Sequence, residues 1–143
     1  MRMRNILPAL VIAGIATTSQ ADIGRIKLVS GPATIERAGQ LLPATSGMVL
    51  QKGDTLVTGK SGRMGATFYD NTRFAAGPNS RVSIPEYAFD DTTHQGQFMT
   101  LVQKGSLAVV SGQIAKSAKD AMRVRTPTSL LGVRGTRFVV EVK

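Results

Sequence analysis

Glycine spacing is the strongest constraint on what this chain can fold into. Fourteen of the 15 glycines lie after residue 21, about one every nine residues, mostly between short runs rich in Val, Ile, Thr, Phe and Leu. Turn signals at that interval mark an all-β domain rather than alternating strands and helices. The runs predict strands over residues 23–30, 33–37, 55–58, 63–69, 73–76, 81–84, 86–89, 97–103, 107–111, 122–126, 129–131 and 136–142. Within 63–69, Met64, Ala66 and Phe68 alternate onto one face. Asp70-Asn71-Thr72 and Gly77-Pro78-Asn79-Ser80 supply tight turns, and Lys104-Gly105-Ser106 reads as a hairpin. Pro85 cannot donate to a ladder, so it starts or bends its segment. Residues 90–96 read as an exposed loop, and residues 113–121 as a loop or one short helix. Two architectures fit: a solenoid-like coil of stacked strand-turn units, or a small sandwich or barrel. Periodicity alone does not choose between them.

The first 21 residues belong outside this pattern. Arg2 and Arg4 precede an apolar run of 11 residues, Ile6 to Ala16, and Ser19-Gln20-Ala21 offers small residues where a signal peptidase needs them. The run is far shorter than the roughly 20 residues that span a bilayer. The expectation is a secretory signal peptide over residues 1–21, cleaved after Ala21, and one domain over residues 22–143, exported to the periplasm.

Export changes what the charge means. The chain carries 18 Lys+Arg against 9 Asp+Glu; without Arg2 and Arg4 the surplus is still about +7. An exported cation meets acidic surface polymers, anionic head groups and other proteins. Nucleic acid is not expected, because no basic patch is interleaved with aromatics. With no cysteine, a disulfide framework, a thiolate zinc site, a cysteine nucleophile and a lipidated N-terminal cysteine are all excluded.

Catalysis is poorly provisioned. His94, the sole histidine, sits in the polar stretch 90–96, where an exposed side chain is the ordinary reading. Asp90 and Asp91 lack EF-hand spacing. Asp54 and Asp70 stand where turns want an acceptor for backbone N–H groups. No catalytic residue, metal ligand or cofactor is expected.

The arginines carry more information. Arg63, Arg73 and Arg81 each begin a predicted strand directly after a turn. If the strands stacked in parallel register, the three guanidiniums would line one edge. A second group, with Arg123, Arg125, Arg134, Arg137 and Lys143, crowds the C-terminal strands. Such rows can hold carboxylate or phosphate bidentately. The plainer alternative is solvated charge that discourages edge pairing.

One stretch is more specific than composition. Arg125-Thr126-Pro127-Thr128-Ser129-Leu130-Leu131-Gly132-Val133-Arg134-Gly135-Thr136-Arg137-Phe138 resembles the closing motif of FecR domains, a Thr-Pro pair followed by an apolar run, Gly-Val-Arg-Gly-Thr and an aromatic strand. Upstream, Gly53-Asp54 with Thr58-Gly59, the turn between Phe68 and Phe74, Gly77-Pro78-Asn79-Ser80-Arg81-Val82, and Leu101 to Gly105 with Leu107 follow in the family's order. The resemblance spans Ile23 to Val142. Asn71 stands where the family usually has Gly, and Asn tolerates the left-handed conformation best among the other residues.

The resemblance implies an all-β, solenoid-like domain of bacterial cell envelopes. The best-known relatives regulate iron-siderophore uptake, joining a cytoplasmic anti-sigma segment, a membrane span and a periplasmic domain that contacts an outer-membrane receptor. Here only Met1 to Asn5 precede the apolar run, and no 18-residue apolar stretch follows Ala21, so a stand-alone periplasmic protein without a transmembrane segment is expected. Within the motif, Gly132 and Gly135 permit a tight corner, Thr136 can bond the backbone, and Arg134 is expected to bond turn carbonyls or an acid such as Asp54 or Asp70. The functional expectation is a non-catalytic module that recognises a cell-envelope protein, with an anionic surface polysaccharide held by arginine rows as the alternative. Open sheet edges also offer a route to a homo-oligomer.

Overall fold

A computed structural model describes residues 21–143; the expected signal peptide, apart from Ala21, lies outside the described residues. The strands are β1 (Asp22–Ser30), β2 (Ala33–Arg37), β3 (Gln40–Pro43), β4 (Val49–Gln51), β5 (Thr55–Thr58), β6 (Arg63–Phe68), β7 (Arg73–Ala76), β8 (Arg81–Phe89), β9 (Gly96–Val110), β10 (Met122–Arg125), β11 (Leu130–Gly132) and β12 (Arg137–Val142). One short helix, α1 (Gln113–Ser117), follows β9. The all-β expectation therefore holds among the described residues, and β3 and β4 are strands that hydrophobic patterning missed.

All twelve strands belong to one curled sheet. Its two halves are a layer β4-β1-β6-β7-β9-β12 and a layer β3-β2-β5-β8-β9-β10-β11, with β9 common to both. Every described pairing except β9–β10 is antiparallel. The solenoid-like stack is thus not what these ladders build. Stacked coils need parallel partners one repeat apart, whereas the tight turns here return each strand beside its predecessor or send it into the other layer.

The expected hairpin at Lys104-Gly105-Ser106 is also corrected, because β9 runs straight through it. Gly105 adopts φ +88°, and a Cβ there would strike Ser80. The glycine redirects the strand between layers instead of reversing it. Before it, β9 lies between β8 and β10; after it, between β7 and β12. The two segments expected on either side of Pro85 are likewise one strand, whose register against β9 shifts between Ser83 and Glu86. That bulge accommodates the missing N–H.

The halves face each other across an aromatic core. Phe68 and Phe74 from one layer meet Tyr87 and Phe98 from the other, with ring centroids 5.0 Å apart for Phe68 and Phe98 and 5.5 Å for Phe74 and Phe98. Ile114 of α1 and Val140 of β12 are buried in the same core. Because side chains alternate along a strand, burying Phe68, Phe74 and Val109 turns Thr67, Ala75 and Ala108 to the outside.

Candidate functional site

The acids are committed to the scaffold. Asp54, fully buried, accepts Arg37 Nε at 2.9 Å, Arg37 Nη2 at 2.8 Å and the Gln51 backbone N–H at 2.9 Å. The hydrogen bonds to Asp54 raise the Arg37 pKa above its ordinary value despite partial burial. Asp70, also fully buried, accepts the Thr72 hydroxyl at 2.6 Å and the Tyr87 hydroxyl at 3.2 Å, and the Asp70 N–H donates to Tyr87 Oη at 3.0 Å. Burial, with the adjacent Asp70 charge, pushes the Tyr87 phenol well above its usual pKa. Asp70 also accepts the Ile114 and Gln113 backbone N–H groups, which fastens the start of α1. His94 is exposed and stacked on Phe89. No group of three or more His, Asp or Glu able to hold a metal occurs among the described residues.

Antiparallel pairing scatters the first arginine row. Arg63 begins β6 opposite Ser30, while Arg73 begins β7 opposite Thr67, at the other end of that hairpin. Arg81 lies in the other layer, bonded to Glu36 and Gln103. That bond holds the Glu36 carboxyl below the usual range. The three do not line one edge.

The pairings instead bring Arg73 to Arg137. Both are register partners of Val110, one from β7 and one from β12, so two strand spacings of about 5 Å each separate them. Lys27 borders the same depression. Arg25, opposite Thr67, extends the row, with Nη1 donating to the Gly47 carbonyl at 3.2 Å. Among the described residues, Lys27, Arg73 and Arg137 have no carboxylate partner.

Beside this row runs a second one that the sequence did not disclose. Leu28, Gly65, Ala75, Ala108 and Val139 are successive register partners across β1, β6, β7, β9 and β12. The three central positions are minimal in size, and the outer two are large and exposed: Leu28 at 59% and Val139 at 66%. The result is a trough of about 580 Å³ at the cationic end, continuing into one of about 330 Å³ toward Arg63 and Glu141. Small residues at outward strand positions, where polar ones are the rule, were the available signal. Recognising it required the register.

The closing motif serves elsewhere. Ser111 Oγ donates to the Gly135 carbonyl at 2.6 Å, and the Ser111 N–H donates to the Thr136 carbonyl at 2.8 Å. Thr136 acts through its backbone, and a side chain at Gly132 would collide with Asp120. Val133 is buried, and its N–H donates to the Met122 carbonyl at 3.0 Å. Arg134 is exposed and makes no side-chain hydrogen bond among the described residues; Asp54 and Asp70, its expected partners, are held by Arg37 and by Thr72 with Tyr87. It borders a cleft of about 540 Å³ with Lys116 and Lys119. Arg125 is exposed at the end of β10, opposite Leu130, away from the trough.

A family described as FecR protein matches residues 54–143. The match starts at the acid of the Arg37–Asp54 pair and leaves β1 to β4 outside it, a shorter span than the resemblance from Ile23 suggested. No curated protein matches the chain. A solved structure described as a cell surface anchoring domain is 31% identical, covering 44% of this chain and 84% of its own, with a TM-score of 0.43.

Proposed function

Because the chain belongs to the FecR family, we propose that it is an exported, non-catalytic module of the cell envelope that recognises another envelope protein through the outer face of β1, β6, β7, β9 and β12. The observation that carries this reading is the in-register row Leu28, Gly65, Ala75, Ala108 and Val139. It is an apolar strip on a sheet face that water would otherwise cover, bordered by unneutralised cations, the make-up of a protein interface. Binding rather than catalysis agrees with the engagement of Asp54 and Asp70 in the scaffold. Export agrees with the short apolar run Ile6 to Ala16 behind Arg2 and Arg4 and with the small residues Ser19 and Ala21 that follow it. No helix among the described residues is long and apolar enough to cross a membrane.

A second reading takes the cations as the working surface. Lys27, Arg73 and Arg137, unpaired by any described carboxylate, are suited to an anionic envelope polysaccharide. Salt separates the two readings, since charge at an exposed surface is screened within a Debye length of about 8 Å at physiological ionic strength.

The test uses protein recovered from the periplasm, with N-terminal sequencing expected to begin at Asp22. It is immobilised and exposed to envelope extract at low and high salt, beside an Ala75→Arg variant. A discrete protein retained at high salt and lost with Ala75→Arg is the expected result. Polysaccharide captured only at low salt, indifferent to Ala75→Arg, would replace this reading with the second. Self-association through the edge strands β3, β4, β11 and β12 would appear in light scattering of the purified chain.

A further inference from the structure

Resting on that recognition reading, we propose that the trough seats one amphipathic helix of the partner protein, laid along β6, β7 and β9 with an acidic end over Lys27, Arg73 and Arg137.

Composition comes first. A solvated antiparallel sheet carries polar residues on its outer face. The second layer's outward rows mix polar and apolar residues: Val57 stands between Thr34 and Arg81, and Leu101 between Ser83 and Arg125, with Arg81 bonded to both Glu36 and Gln103. On the first layer one whole row, Leu28, Gly65, Ala75, Ala108 and Val139, carries no polar side chain, so water finds nothing to bond along it.

Shape selects a helix. The rims on β1 and β12 are four strand spacings apart, about 19 Å. A helix with side chains is about 10–12 Å across, so it fits between Leu28 and Val139 and rests on the small-residue floor. A flat sheet would be held off by those two side chains. A single extended segment would leave much of the floor wet.

Charge sets direction. Three cations without a carboxylate partner stand at one end of the trough, and Glu141 with Arg63 at the other. A helix C-terminus carries about half a negative charge, and acidic side chains in its last turn add to it. A second copy of this chain would set one cationic face against another. Residues 1–20 of the chain are also basic, with Arg2 and Arg4 and no acid.

The probe is a set of labelled synthetic peptides sharing one Ala/Leu face, read by fluorescence anisotropy against the purified full chain. One ends in glutamates, one in lysines, and one is the acidic peptide interrupted by proline. The acidic helical peptide is expected to bind on the order of tenfold tighter than either of the others. Ala75→Arg and Val139→Asp, both at exposed positions, should each abolish binding while leaving the thermal midpoint in place. Arg73→Glu combined with Arg137→Glu should transfer the preference to the lysine peptide. Equal binding of the helical and interrupted peptides would overturn the helix. Binding of polygalacturonate without binding of the acidic peptide would overturn it in favour of an anionic polymer. If no peptide binds but Ala75→Arg still abolishes capture of the envelope protein, the helix falls and the recognition reading stands. If capture is also indifferent to Ala75→Arg, both fall.

Discussion

Arg37 grips Asp54 through two parallel hydrogen bonds, Nε to Oδ1 at 2.9 Å and Nη2 to Oδ2 at 2.8 Å, and reaches the Val49 carbonyl with the same Nη2 at 2.9 Å. One side chain thus ties β2 to the turn between β4 and β5. Arg37→Ala would leave a fully buried carboxylate with only the Gln51 N–H as partner. Removing one partner of a buried pair costs about 3–5 kcal/mol, and Arg37 is partly solvated, so the lower end, about 3 kcal/mol, is expected in urea unfolding. Arg37→Lys should recover part of this but not the two-pronged geometry.

Tyr87 and Asp70 make stability depend on pH at the alkaline end. The folded-state pKa of Tyr87 lies above its ordinary value of about 10, chiefly because burial disfavours the phenolate. Its contribution is therefore complete below about pH 10 and is lost as pH rises from there toward the elevated folded value. The thermal midpoint should fall steeply above about pH 10, and Tyr87→Phe should flatten that fall. The same substitution removes bonds to the Asp70 N–H and carboxylate, so at neutral pH it should cost about 1–3 kcal/mol. At the acid end the sign is reversed. The Arg81 hydrogen bond lowers the Glu36 pKa, so that contribution is present above the ordinary carboxylate range and lost as pH falls through the depressed value.

Gly105 is predicted to be the least replaceable glycine in β9. Its φ of +88° lies where a side chain is strained, and a Cβ would collide with Ser80, whose Oγ accepts the Ser106 N–H at 2.9 Å. Gly105→Ala should destabilise by more than about 1 kcal/mol. It should also loosen the passage of β9 between layers, visible as faster amide exchange at Leu107 and Val109.

The closing motif separates into a fastening and a free charge. Ser111→Ala removes the bond to the Gly135 carbonyl and should cost about 1 kcal/mol in thermal or urea unfolding. Arg134→Ala should stay within about 0.5 kcal/mol of wild type, as for other surface substitutions. A larger loss would mean that the guanidinium has a structural partner after all.

The legible part of the fold is the part that local chemistry dictates. Ala33–Arg37, Thr55–Thr58 and Arg73–Ala76 are strands as the turn residues around them predicted, and Asn71, at φ +70°, makes the left-handed turn expected of it. The strand content and the family both follow from such local signals. The local pattern at Gly105 does not distinguish a hairpin from a between-layer bend, because a glycine at positive φ serves both equally well. β3 and β4 escaped notice because residues 40–52 show little alternation. Their pairing with β2 and β1 is what makes them strands.

Local residue chemistry is enough to build this chain of short strands, to punctuate them with glycines and Asn71, and to crowd basic residues at strand starts. Which of those residues meet depends on how distant strands pair. Arg63, Arg73 and Arg81 look equivalent in sequence, yet antiparallel return sends them to different ends and layers, while Arg73 and Arg137, far apart in the chain, flank Val110. The trough is the clearest case. Leu28, Gly65, Ala75, Ala108 and Val139 are unremarkable singly and become a surface only in register. Register is set by backbone pairing between distant strands and by burial of the opposite face, and neither is encoded within any one segment.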